Sequence, residues 1–170
     1  MPLTDSISSI HEYGLRRRLA FERWSGALDA IAPKPEITSE AKANYDLFTV
    51  KLTDEFAIAH RMVASYPAEM ASRPLLVEVR TLLDQIEREY PVISVREREV
   101  LGLQSSGQYE KAIALLNILN DIQRTVQTQR ELLQEKMVEL CAASAQAAAL
   151  RQRRVLWLTI AATLPPFFSV

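Results

Sequence analysis

From Tyr109 onward the chain reads as one unbroken helix, running through an arginine cluster, Arg151, Arg153 and Arg154, into sixteen uncharged residues, Val155 to Val170. A long helix that emerges from a helical domain into an apolar segment is a way of wiring that domain to a membrane. The uncharged run falls just short of the roughly 18 to 20 apolar residues that a spanning helix needs. The expectation is therefore a chain that ends inside, or just before completing, a transmembrane segment. Trp157 suits the interfacial aromatic position, and Arg151, Arg153 and Arg154 suit the headgroup layer, so these four are the candidate membrane-interface residues. The competing expectation is an amphipathic tail folded back onto the rest of the protein.

Only four glycines occur in 170 residues, and Ala, Leu, Glu, Gln and Arg, whose side chains lose little rotamer freedom in a helix, are abundant. No stretch shows the period-two alternation of a half-buried strand. The expected fold class is all-α. The formal net charge is −1 with basic residues dispersed among acids, which is not the footprint of a nucleic-acid binder. The single Cys141 excludes an intramolecular disulfide framework. The first fifteen residues carry Asp5, His11 and Glu12 and no apolar run, so neither a secretory signal nor a first membrane span is expected there.

Breakers and caps divide the chain into four helices. The first is expected from about Asp5 to Ile31, with Ile7, Ile10, Gly14, Phe21, Trp24, Leu28 and Ile31 in one stripe, stopped by Pro33 and Pro35. The second is expected to be capped by Thr38 or Ser39 and to end before Pro67, with Ala41, Tyr45, Phe48, Leu52, Ala59, Met62 and Tyr66 on its core face. A third follows Pro74 and carries Leu76, Val79, Leu83, Ile86, Tyr90 and Ile93. Pro91 predicts a kink or short break, with Ser94 and Glu97 as a capping box for the resumed segment. The fourth begins after Ser105-Ser106-Gly107 and holds Tyr109, Ala112, Leu116, Leu119, Val126, Leu133, Met137, Leu140 and Ala147 in heptad register, a register that also passes through Gln123, Arg130 and Ser144.

Three helices of roughly 40 to 45 Å joined by short connections predict an antiparallel up-down-up-down four-helix bundle over residues 1–150. The fourth helix overshoots by about 30 Å at the usual rise per residue, and the juxtamembrane part is expected over 151–170. The overhang is rich in alanine from Ala142 to Ala149, which suits close helix pairing, so a parallel homodimer contact is expected there.

Chemistry-bearing patterns are scarce. His11 and His60 lack the spacing to glutamate that a bundle metal site requires, and there is no Gly-rich phosphate loop, nucleophile elbow or zincin pair. Glu97 and Glu99, alternating with Arg96 and Arg98, read as a solvated face. No enzyme, metal or cofactor is expected. What stands out is polarity in the core register: Arg17 lies between Gly14 and Phe21, and Gln123 and Arg130 interrupt the fourth helix. A buried arginine must pair, snorkel to the rim or meet an anion, so Arg17, Arg130 and Gln123 are the candidate residues for a small anionic ligand.

The run from Glu97 through Gly102, Ser105-Ser106-Gly107 and Tyr109 to Ala112, the long helix with Gln129, Arg130 and Leu133, and Arg153-Arg154 before apolar residues together resemble the four-helix-bundle sensory domain of methyl-accepting chemotaxis receptors. The resemblance implies an extracytoplasmic ligand-sensing bundle that dimerises and passes a small displacement of its fourth helix to a cytoplasmic signalling part; for this chain the side of the membrane is left open. A different class fits as well. Gly107-x-Tyr109-x-x-Ala112 matches the core of a single tetratricopeptide repeat, as expected of a cytoplasmic helical scaffold or adaptor that binds other proteins.

Overall fold

The computed structural model describes residues 3–29, 35–66 and 73–163, which form four α-helices: α1 (Leu3–Asp29), α2 (Pro35–Ser65), α3 (Arg73–Ser105) and α4 (Tyr109–Thr163). The fold is an all-α four-helix bundle with no strand among the described residues. The 55 residues of α4 make it by far the longest element.

The helices pack as two hairpins. The most extensive contacts join α1 to α2 and α3 to α4, and thinner contacts cross between the hairpins. Along α1 and α2, Ser6 meets Glu55, Tyr13 stacks near Phe48, and Arg23 reaches Glu40, so ascending residues of one helix face descending residues of the other. Glu97 with Gln123 and Glu78 with Lys136 show the same opposed order in α3 and α4.

Each helix buries the stripe that its periodicity marks. Ile7, Ile10 and Phe21 of α1 join Leu52, Phe56 and Val63 of α2, Val79, Leu83 and Ile86 of α3, and Leu119, Leu133 and Leu140 of α4 in one continuous core. Each such side chain removed from water contributes about 1.5 to 3 kcal/mol. Trp24, Leu28, Met62, Leu76, Tyr90 and Leu116 pack on its border. Tyr109, expected in the α4 seam, is half exposed, and the buried stripe of α4 begins at Ala112.

Three local expectations are corrected. The start of α2 is Pro35, not Thr38 or Ser39; a proline in the first turn gives up no hydrogen bond, because the first amides of a helix have no partner within it. Of the kink or short break expected at Pro91, the break does not occur, and helix α3 runs through that residue. Ser94 and Glu97 therefore lie within a continuous helix and cap nothing. The expected end of α1 at Ile31 lies outside the described residues.

Between α3 and α4 the chain reverses in three residues, Ser106, Gly107 and Gln108. Gly107 takes φ +74°, its amide donates to the carbonyl of Gln104 at 3.0 Å, and the amide of Gln108 donates to the carbonyl of Leu103 at 2.9 Å. This pair of bonds is a Schellman cap, and the left-handed residue it needs is the one that glycine adopts without a Cβ penalty.

Candidate functional site

Midway along the bundle the apolar stripes of all four helices give way to polar side chains. Arg17 of α1 is 2% exposed and Glu97 of α3 is fully buried. Their side chains form a bidentate pair, Nη1 donating to Oε1 at 3.4 Å and Nη2 to Oε2 at close range. The guanidinium also donates from Nε to Thr49 Oγ1 at 2.9 Å and from Nη2 to Ser94 Oγ at 2.8 Å, and it contacts the Tyr45 hydroxyl. Glu97 in turn accepts from Tyr45 Oη at 2.6 Å and from Gln123 Nε2 at 3.3 Å. The arginine lies over the Tyr45 ring, 4.5 Å from its centroid.

This arrangement answers how a bundle core tolerates an arginine. Removing a cation and a carboxylate from water costs several kcal/mol each, and the cost is met only when the charges pair and their remaining donors and acceptors are hydrogen-bonded. Burial pushes the Glu97 carboxyl above the usual range, while Arg17, Tyr45 and Gln123 pull it back. Burial, with Glu97 adding to it, pushes the Tyr45 hydroxyl up to about 12, which keeps it a donor.

The sequence placed Glu97 on a solvated face, and the structure corrects this. The alternation Arg96-Glu97-Arg98-Glu99 has the look of a surface, and Glu99 does pair with Arg96 at the surface. Glu97, however, is four residues after Ile93 and three before Val100, both buried. The helical register outweighs the local composition. Tyr45, Thr49 and Ser94 also escaped prediction as partners of Arg17. Continuing the α3 stripe past Ile93 through a charged residue would have found Glu97.

The three candidate ligand residues come together. Arg17, Gln123 and Arg130 line one small void of about 20 Å³ with Gly14 and Tyr90. Arg17 and Gln123 are engaged with Glu97, whereas Arg130 is 5% exposed and has no carboxylate partner among the described residues. Its Nη2 donates to Gln127 Oε1 at 2.7 Å, and its Nη1 reaches the His11 carbonyl at 3.5 Å. A methyl group at Gly14 would run into both the Arg130 guanidinium and the Tyr90 hydroxyl, so the absence of a side chain there leaves room for the ends of those two side chains against α1.

Two open grooves flank the cluster where the hairpins meet. One, of about 620 Å³, lies between α1 and α4 and is lined by Arg18, Glu22, Ser25, Asn120, Gln123 and Arg124 among others. The other, of about 280 Å³, lies between α2 and α3 and reaches Arg17, Tyr90 and Ser94. Two turns from Arg17, Ser25 and Gln104 form a second buried polar pair, linked by hydrogen bonds of 2.8 and 3.1 Å. No group of three or more His, Cys, Asp or Glu able to hold a metal ion occurs among the described residues.

The candidate membrane-interface residues lie far from this cluster. Tyr66 Oη donates to Ser144 Oγ at 3.2 Å near the end of the bundle, and from Ala148 to Ile160 every residue of α4 is exposed. Arg151, Arg153 and Arg154 lie on this overhang, followed by Val155, Leu156, Trp157 and Leu158, each more than half exposed. The folded-back tail is not what α4 forms through Ile160. No helix among the described residues is long and apolar enough to cross a membrane, so the expected transmembrane segment is not found in them; residues 164–170 lie outside the described part.

No known protein family, curated protein or solved structure matches this chain.

Proposed function

We propose that the chain is a non-enzymatic signal-relay module: a four-helix sensory bundle over 1–150, attached to a membrane surface through residues 151–170 of the overhanging α4. The observation that carries this reading is the exposed end of α4. Val155, Leu156, Trp157, Leu158 and Ile160 are consecutive or nearly so, and a helix apolar on all sides has no face suited to water. Such a segment is buried by a membrane or by another protein. The basic cluster directly before it, with Trp157 one turn on, favours the membrane, since basic side chains pair with anionic headgroups and tryptophan favours the interface.

A rigid rod anchored at one end and packed at the other transmits displacement along its axis, which is the role of the fourth helix in the chemotaxis-receptor sensory domains that the sequence resembles. In this reading the clefts between the hairpins admit a small anionic ligand, and the alanine-rich overhang, Ala142 to Ala149, pairs in parallel with a second copy. The test is flotation of the purified chain with vesicles containing anionic lipid. Wild type is expected to float, and the double change Trp157→Glu, Leu158→Glu to stay at the bottom of the gradient. A wild type that stays at the bottom would favour the competing class, a helical adaptor whose exposed apolar end binds a protein.

A further inference from the structure

We propose that the void beside Gly14 is a binding site for one small inorganic anion, chloride or another halide, held by Arg130 and Tyr90. The site deepens the sensing part of the proposed function, but binding to it does not depend on membrane attachment.

Charge is the first argument. Arg17 and Glu97 neutralise each other, which leaves Arg130 as a second buried cation in the same stretch of core. Arginine does not lose its proton in a protein. The nearest acidic group in its hydrogen-bond chain is Glu131, and it reaches Arg130 only through the amide of Gln127, which donates to Glu131 Oε1 at 2.7 Å. A neutral amide and a carbonyl at 3.5 Å do not supply a negative charge.

Unused donors are the second. Arg130 Nε and Tyr90 Oη are both buried and have no hydrogen-bond partner among the described residues. Both residues line the void, from the neighbouring helices α3 and α4, and no carboxylate lines it with them. Burial keeps the Tyr90 hydroxyl protonated by pushing it above its ordinary value. His11, held neutral by burial and by Arg130, adds no third cation.

Size and access complete the case. A space of about 20 Å³ suits a single water-sized or halide-sized occupant, since one water needs roughly 10 to 15 Å³ on this measure. A water would satisfy the donors but leave the cation unbalanced. Arg18 and Gln123 line both the void and the groove between α1 and α4, which gives the ion a way in from solvent.

The experiment follows thermal unfolding of the full chain, free of lipid, in sodium chloride or bromide against sodium gluconate at equal ionic strength, for wild type, Arg130→Met and Tyr90→Phe. Halide is expected to raise the wild-type Tm, with the folded-to-unfolded ratio about 100-fold higher at a hundred times Kd. Arg130→Met is expected to lose the halide-specific gain, and Tyr90→Phe to weaken binding by roughly tenfold. Crystals grown in bromide are expected to show an anomalous peak within hydrogen-bond reach of Arg130 Nε and Tyr90 Oη. No halide-specific gain in wild type, an equal gain in wild type and both variants, or bromide peaks only elsewhere would each overturn the proposal. Should Arg130→Met fail to fold, Tyr90→Phe and the bromide peak decide it. Because lipid plays no part, such a failure leaves the membrane reading to its own test.

Discussion

Arg17→Met is expected to destabilise the protein by about 3 to 5 kcal/mol at pH 8, measured by urea unfolding. Methionine fills much of the same volume, so the loss is not a cavity. It comes from Glu97, fully buried and deprived of its cation. The double change Arg17→Met, Glu97→Leu is expected to cost less than either single change, because no buried charge is left over. It should remain about 1 to 3 kcal/mol below wild type, since Tyr45 and Gln123 lose the carboxylate that accepts their hydrogen bonds. The penalty of Arg17→Met also depends on pH with a definite sign. Glu97 already titrates above its ordinary 4.5 because of burial, and losing Arg17 raises it further. An acid whose folded value is raised contributes stability that is intact below the ordinary value and is lost as pH climbs through the raised one. The penalty should therefore shrink as pH falls through the raised value, the carboxyl taking up its proton before the ordinary 4.5 is reached. A cost below about 1 kcal/mol at pH 8 would mean that the cluster is solvated and holds nothing together.

The second large effect separates the bundle from its overhang. Leu140 is fully buried, so Leu140→Ala is expected to cost about 2 to 5 kcal/mol. Leu150 lies ten residues further along the same helix and is 57% exposed; Leu150→Ala should change stability by no more than about 0.5 kcal/mol. Measured side by side in dilute solution, the two values locate where α4 stops being part of the core. Comparable costs would show that the distal part of α4 is packed against something in solution, against an independent rod.

What could be read from the sequence was what periodicity carries. The stripes Ile7-Ile10-Phe21, Val79-Leu83-Ile86 and Leu119-Val126-Leu133 are long enough that three-four spacing alone assigns the helices and their inward faces. Arg17, Gln123 and Arg130 were legible as polar residues inside such a stripe, and all three are buried. Their partners on other helices were not, because these hydrogen bonds join residues 26 to 119 positions apart and leave no local trace. Ser94 and Glu97 also fit a capping box, a purely local pattern whose meaning depends on whether Pro91 breaks the helix. It does not, and the same two residues instead face Arg17 from α3. The void beside Gly14 was invisible for a related reason. A glycine in a helical stripe reads as a small packing residue, and only the assembled bundle shows that it clears room for Arg130 and Tyr90.

The central claim, that the exposed end of α4 holds the bundle at a membrane, is tested most directly in cells. Bacteria expressing the chain with and without residues 155–170 are lysed, and their membranes are pelleted and washed at low ionic strength to remove trapped soluble protein. The expected result is full-length protein retained in the membrane pellet and the shortened protein released to the supernatant, both folded by circular dichroism. Full-length protein recovered folded in the supernatant would contradict the account and leave the apolar end of α4 to a protein partner.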